Sequence, residues 1–188
     1  SFVSLSKGYK AGGFNLGLVP DERREFEQEA LWNFEVGIKS YWLNNTLNFN
    51  GSVFYNERSN QQVRTSFQLV PNDPASFVFF TDNAAKGRTL GFEADLRWQA
   101  NESWQFYANV GFLKAEFEDF STPQIDLSGR RQAHAPDYTV AFGGVYQNSS
   151  GLFAGLDYIA RDEFYFDVSH DQLSFAVEIV NARIGFDA

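Results

Sequence analysis

From Ala30 to Trp42 every second residue is apolar or aromatic over most of the run: Trp32, Phe34, Val36 and Ile38 fall on one face, and Asn33, Glu35, Gly37 and Lys39 on the other. A repeat of two is that of a pleated strand, whereas helical spacing would mix Trp32 with Glu35 and Val36 with Lys39. The rhythm returns after Leu43 to Thr46, where Leu47, Phe49, Val53 and Tyr55 alternate with Asn48, Asn50, Ser52 and Asn56. Leu90, Phe92, Ala94, Leu96 and Trp98 then oppose Thr89, Gly91, Glu93, Asp95 and Arg97. Trp104, Phe106, Ala108, Val110 and Phe112 oppose Ser103, Gln105, Tyr107, Asn109 and Gly111. Val3 and Leu5 against Ser4 and Ser6 open the series, and Tyr138, Val140, Phe142 and Tyr146, then Leu152, Ala154, Leu156 and Tyr158, carry it on. In a last strand, from about Ser174 to Phe186, the apolar parity shifts between Ile179 and Val180, which predicts a β-bulge there. The expected fold is all-β, an antiparallel up-and-down meander of about eight strands.

The connections are unequal. Leu43 to Thr46, Gln99 to Ser103 and Gln147 to Gly151 are short and polar, while the other four are polar segments of roughly ten to twenty-five residues, beyond ordinary hairpin loops. In a meander this puts all the long loops on one side, the plan of a transmembrane barrel with turns in the periplasm and loops outside the cell. Periodicity alone leaves two media open for the apolar face, a protein core or lipid. Trp42, Trp98 and Trp104 all flank short turns, which favours an interfacial belt over a core.

Composition fits that choice. Aromatic residues make up 18% of the chain, as girdles at two membrane interfaces require. No apolar run approaches the roughly 18 residues of a membrane helix, and the mean hydropathy is -0.34; a barrel passes this test because only alternate residues meet lipid. A formal charge of -9 argues against a nucleic-acid partner, which calls for basic patches. The absence of cysteine removes disulfides, thiolate metal sites and cysteine nucleophiles together. The chain opens at Ser1 inside a strand-like stretch and stops at Ala188 just after another, so a piece of something longer is expected.

Several segments carry a resemblance. Gly8-Tyr9-Lys10-Ala11-Gly12-Gly13-Phe14-Asn15 following a strand, Asn33 to Ser40 (NFEVGIKS), Val53-Phe54-Tyr55 with Gln61-Gln62 beyond, Asn83-Ala84-Ala85-Lys86 leading into Leu90 to Asp95, and Val180 to Phe186 together resemble the β-barrel part of TonB-dependent outer-membrane receptors. Their order and spacing cover essentially the whole chain. The resemblance implies a 22-stranded barrel filled by a plug domain, of which residues 1–188 supply about eight strands of the carboxy-terminal half, without the plug, the TonB-contacting box or the closing strands. It also implies a location in the outer membrane of a Gram-negative bacterium and a transporter, not an enzyme. The expected ligand is a ferric siderophore by default, taken up with TonB, ExbB and ExbD.

Candidate sites follow from the loops and faces. Arg130, Arg131 and His134, beside Asp126 in loop Glu118 to Pro136, could meet an anionic chelate through bidentate hydrogen bonds, the bland equivalent being local charge pairing. Tyr9, Lys10 and Phe14 beside Gly12 and Gly13 could form an aromatic shelf or a structural turn. Glu35, Lys39, Glu93, Asp95, Arg97 and Arg183 are expected to face the lumen. Trp32, Phe34, Val36, Ile38, Phe92, Leu96, Trp98, Trp104, Phe106 and Val110 are expected to face lipid. Ser128, His134 and Asp137 can be drawn as a hydrolase triad, but no nucleophile elbow supports it, and His170, the second histidine, shows no zinc spacing to the first; no cofactor or metal is assigned.

Two other readings compete. A self-contained eight-stranded outer-membrane barrel would serve as anchor, adhesin or lipid-modifying enzyme, since eight strands suffice to close. A soluble carbohydrate-binding sandwich would put the apolar faces in a core.

Overall fold

The computed structural model describes residues 1–73, 75–121, 126–168 and 171–187, without the side chains of residues 67, 84 and 85; His170 lies outside the described residues. The alternating segments form strands β1 (Phe2–Lys10), β4 (Glu29–Trp42), β5 (Leu47–Gln68), β6 (Phe77–Gln99), β7 (Trp104–Asp119), β8 (Tyr138–Gln147), β9 (Leu152–Arg161) and β12 (Val177–Phe186). Two small ribbons sit in the connections, β2 (Gly13–Phe14) with β3 (Glu25–Phe26), and β10 (Phe164–Tyr165) with β11 (Leu173–Ser174).

The eight long strands make one antiparallel sheet in the order β1-β4-β5-β6-β7-β8-β9-β12, so each follows its neighbour in the chain. The expected meander is therefore present. It does not close: β1 and β12 are the two edges of the sheet.

Asparagine sets the short turns. Leu43, Asn44 and Asn45 all adopt positive φ, a region that asparagine tolerates better than most residues. Asn101 Oδ1 accepts from the main-chain N–H groups of Ser103 and Trp104. Asn148 Oδ1 does the same for Ser150 and Leu152. In each case a short side chain supplies an acceptor that a longer loop would otherwise bring.

Two expectations need correction. The connection after Tyr55 is not a long polar loop, because β5 and β6 stay paired as far as Gln68 and Phe77, leaving only residues 69–76 between them. Beyond Ser59 and Lys86 the neighbouring strands fall away, and β5 and β6 continue as a free two-stranded ribbon. The predicted bulge at Ile179 and Val180 is also absent, since β12 runs against β9 in unbroken register. Ile179 pairs with Ile159, so the parity shift reflects an apolar pair on the mostly polar face.

The sheet is a single layer. Among the described residues, the apolar side chains buried below one-tenth exposure are Val19, Val63, Phe80, Ala115, Phe117, Phe120, Leu127 and Ala160. All lie toward the loop end of the sheet or in its loops, and Val63, Phe117, Phe120 and Leu127 pack as one cluster with Val168 against it. Among the described residues no second layer covers the alternating face: Phe34, Val36, Val53, Leu90, Phe112, Phe142 and Leu156 are each about half exposed. This removes the sandwich reading, which needs those side chains in a core.

Candidate functional site

The two faces differ in shape as well as chemistry. One cleft of about 660 Å3 runs across the polar face, with walls from Phe2 on β1, Glu35 and Lys39 on β4, Asn50 and Ser52 on β5, Glu93 and Asp95 on β6, and on through β7 and β8 to Ile159 and Arg161 on β9. A face that closes a cleft over seven strands is concave. Ile38 and Val110 also border it, although their parity is that of the opposite face. Arg97 lies nearer the turn end beside Asp95, at 3.7 Å, and Arg183 on β12 opposes Gly155. Close packing on this face depends on glycine: a Cβ at Gly37 would meet the Phe2 ring, and one at Gly91 the Phe54 ring.

The convex face carries Trp32, Phe34, Val36, Ile38, Phe92, Trp98 and Trp104, all substantially exposed, while Leu96, Phe106 and Val110 are half-buried between neighbours. Trp98, Phe106, Trp104 and Tyr146 form a chain of ring contacts with centroids 4.9–5.6 Å apart. This belt lies at the turn end, and Trp42, also exposed, donates its Nε1–H to Ser40 Oγ at 2.9 Å.

At the loop end the connections pack against the β5–β6 ribbon. Residues 11–28 dock by hydrogen bonds that imitate a strand. The buried Asn15 side chain donates to the Thr81 carbonyl and accepts from the Thr81 N–H, both at 2.8 Å. Glu29 is also buried; its Oε1 accepts from Arg58 at 2.8 Å and its Oε2 from the Gln62 N–H at 2.9 Å. Arg23 pairs with Asp82. On the ribbon face that carries Asp82, its register partner Val63 joins the Phe117, Phe120 and Leu127 cluster. Gln61 and Gln132 exchange amide contacts beside it.

The structure brings Arg130, Arg131 and His134 together, around the β10–β11 ribbon. Arg130 pairs with Asp171 at 2.7 Å and its guanidinium lies over the Tyr165 ring at 4.1 Å. Arg131 reaches Asp137 at 3.1 Å, Glu163 at 3.3 Å and Asp162 at 3.8 Å. Burial pulls its proton affinity down, but the attraction and hydrogen bond of Asp137, with Asp162 and Glu163 behind, outweigh this and raise it. His134 adopts positive φ, donates its N–H to the Tyr165 carbonyl, and packs its ring against Phe164 and Phe166. Ser128, His134 and Asp137 are not assembled as a triad: the Ser128 hydroxyl accepts from the Phe120 N–H, and Asp137 pairs with Arg131.

Asp126 serves its own loop rather than the arginines. It accepts from the Ser128 N–H at 2.9 Å and the Ser121 hydroxyl at 3.0 Å. These donors, the Ser128 N–H first, hold its carboxyl below the usual carboxylate range. Tyr9 and Lys10 end β1 at an edge of the sheet, with three strands between it and β7. Tyr9 and Phe14 are strongly exposed. Gly12 is where a Cβ would strike the main chain of Phe26 to Gln28, so the glycines serve a close backbone approach.

A curled single-layer sheet, polar within and apolar without, belted by aromatic residues at its turn end, defines the class of β-barrel wall proteins. The family profile described as TonB dependent receptor-like, beta-barrel matches residues 2–187, and the chain belongs to that family. It is 23% identical over 176 residues to the probable TonB-dependent siderophore receptor PiuA of Acinetobacter baumannii, which covers 89% of this chain and 22% of PiuA. The crystal structure of the siderophore receptor PiuA from A. baumannii superposes with a TM-score of 0.72 at 19% identity, covering 98% of this chain and 27% of that one. The ferric yersiniabactin uptake receptor FyuA from Yersinia pestis gives a TM-score of 0.69 at 19% identity, over 98% of this chain and 27% of FyuA. The chain thus spans about a quarter of the length of these relatives.

Proposed function

We propose that this chain is part of the barrel wall of a TonB-dependent outer-membrane receptor that imports a ferric siderophore, energised through TonB, ExbB and ExbD by other parts of the protein. The observation that carries the reading is the family match over residues 2–187 on a sheet whose concave face is polar and whose convex face is apolar. On this reading Trp32, Phe34, Val36, Ile38, Phe92, Leu96, Trp98, Trp104, Phe106 and Val110 meet outer-membrane lipid. Glu35, Lys39, Glu93, Asp95, Arg97 and Arg183 face the lumen and the plug.

Edge chemistry supports a larger barrel over a self-contained one. β1 and β12 do not pair with each other, and unpaired strand edges in hydrocarbon cost several kcal/mol per polar group. Further strands of the parent wall would satisfy them. The named ligands of the relatives, siderophores in PiuA and ferric yersiniabactin in FyuA, support iron chelates as the cargo.

The test is growth of a deletion strain complemented with the full-length gene, under iron limitation, on ferric chelates, haem, cobalamin and glycans in turn. Rescue by a ferric chelate that disappears in a tonB-deleted background is expected. Rescue by a non-iron nutrient alone would remove the siderophore assignment, and rescue independent of TonB would remove the receptor class.

A further inference from the structure

On much of the convex face the rings of neighbouring strands lie side by side: Phe34 beside Tyr55 and Phe92 beside Phe112, each pair with centroids 6.4 Å apart. Across β7, β8 and β9 that cover is broken. Phe106 is in register with Gly144 and Gly144 with Leu156, while Trp104 faces Tyr146 and Tyr146 faces Ala154. Gly144 and Ala154 offer almost no side chain between these larger neighbours, and an apolar groove of about 460 Å3 opens there. Trp104 and Tyr146 border it toward the turns, and Phe142 and Tyr158, with ring centroids 5.0 Å apart, toward the loops. Among the described residues no charged side chain lines it.

What fills such a groove follows from its medium. A protein segment lying in it would carry main-chain N–H and C=O groups into hydrocarbon, where nothing satisfies them. An acyl chain brings no such groups and gains apolar contact with the rings. The polar rim then discriminates between headgroups. The two turns beside the groove, residues 99–103 and 147–151, carry a single charged residue, the exposed Glu102, two positions from Trp104. Asp187, whose N–H bonds the Gly151 carbonyl, adds a second carboxylate. Arg97 and Arg183, toward the same end of β6 and β12, share parity with Asp95 and Asn181 and so belong to the concave face. An anionic headgroup meets only like charge at this rim, whereas a primary ammonium can donate charge-assisted hydrogen bonds to the carboxylates.

We infer that the β7–β9 groove seats one acyl chain of a phospholipid with a primary-ammonium headgroup, a phosphatidylethanolamine of the leaflet on the turn side, with its ammonium at Glu102. The inference rests on the lipid-facing reading above and adds to it a fixed place and a headgroup preference.

Fluorescence quenching of the full-length receptor in phosphatidylcholine bilayers tests it, with two probes added in rising mole fraction: phosphatidylethanolamine and phosphatidylglycerol, each brominated on one acyl chain. The Trp104 signal is the difference between the parent and Trp104→Phe. Half-quenching of Trp104 is expected at about threefold lower mole fraction of the ethanolamine lipid, the scale of one exposed ion pair. Glu102→Gln, a change in an exposed turn, should bring the two curves together. Ala154→Leu, which keeps the face apolar but fills the groove from its floor, should move both curves to higher mole fraction, and both variants should keep the parent's heat-modifiable mobility. Coincident curves in the parent overturn the seat, as does a headgroup preference that survives Glu102→Gln or quenching that ignores Ala154→Leu; all three leave the lipid-facing reading standing. Absence of Trp104 quenching by either brominated lipid overturns both.

Discussion

The Asn15 side-chain amide makes both hydrogen bonds that a strand residue would make to Thr81, giving its N–H to the carbonyl and taking the N–H in return, each at 2.8 Å. One side chain stands in for a strand at a place where the sheet has none. Replacement by Leu leaves two main-chain groups of Thr81 unpaired in a half-buried site, a cost of about 1–3 kcal/mol. Because the loss is local, hydrogen exchange at Thr81 and proteolysis within residues 11–28 should accelerate while global unfolding of the barrel stays unchanged. Unaltered exchange at Thr81 would contradict the pairing.

Val36 and Glu35 are adjacent in β4 and lie on opposite faces. In the full-length receptor folded into bilayers, Val36→Arg should destabilise by about 2–4 kcal/mol if its site is near the midplane, and Glu35→Arg by much less. Equal costs would mean that the faces are assigned wrongly.

Phe117 is the most buried large side chain among the described residues, 1% exposed, and joins β7 to Val63 on the ribbon and to Phe120 and Leu127 in the loop. Truncation to Ala removes the centre of that cluster, a change that in well-packed cores costs about 3–5 kcal/mol. Limited proteolysis should then cut at Phe120 and Leu127 far faster, with the wall below intact. A variant as resistant as the parent would show that the loop is held by other contacts.

Asp126 has its carboxyl depressed by the Ser128 N–H, the Ser128 hydroxyl and the Ser121 hydroxyl. The folded loop therefore favours the carboxylate. The stabilisation is fully present above the ordinary carboxylate pKa and is lost as pH falls through the lower, folded value. Exchange of the Leu127 and Gly129 amides, which donate to Phe120 and Phe117, should speed up on acidification beyond the intrinsic pH trend, and Asp126→Asn should abolish that excess.

Arg131 is the cation shared by Asp137, Asp162 and Glu163. Arg131→Met keeps much of the stem but leaves three carboxylates facing one another. The β10–β11 ribbon should become more protease-sensitive, and added salt should restore part of the loss by screening the repulsion. No effect of salt would place the ribbon's stability elsewhere, in the His134, Phe164 and Phe166 contacts.

The wall was legible because its chemistry repeats. Trp32 to Ile38 and Leu90 to Trp98 state their faces outright, and Asn44, Asn101 and Asn148 mark the short turns by a mechanism a reader of sequence can use. The ribbon was not legible. Asn56 to Gln62 is polar on both faces, and Thr81 to Thr89 carries no large apolar residue, so the alternation that announces a strand vanishes although the pairing continues. Ile179 misled for the opposite reason, an apolar residue on the polar side that meets Ile159. Phe117 and Phe120, large aromatic residues at the edge of a polar loop, were a signal for the loop cluster, but nothing local could reveal that Val63 completes it. Arg130, Arg131 and His134 are neighbours in the sequence as in the structure, whereas their partners Asp171, Tyr165 and Glu163 come from a different connection.

Because residues 11–28 on one side, and Phe120, Leu127 and Gln132 on the other, lean on the β5–β6 ribbon, the outer loops of this wall are not separate modules. Grafting residues 120–137 alone onto another barrel would strand Phe120 and Leu127 without Val63, and exchanging the ribbon alone would orphan Asn15 and Glu29. The transferable piece is the ribbon with both flanking connections, so sequence drift in any one of the three is constrained by the other two.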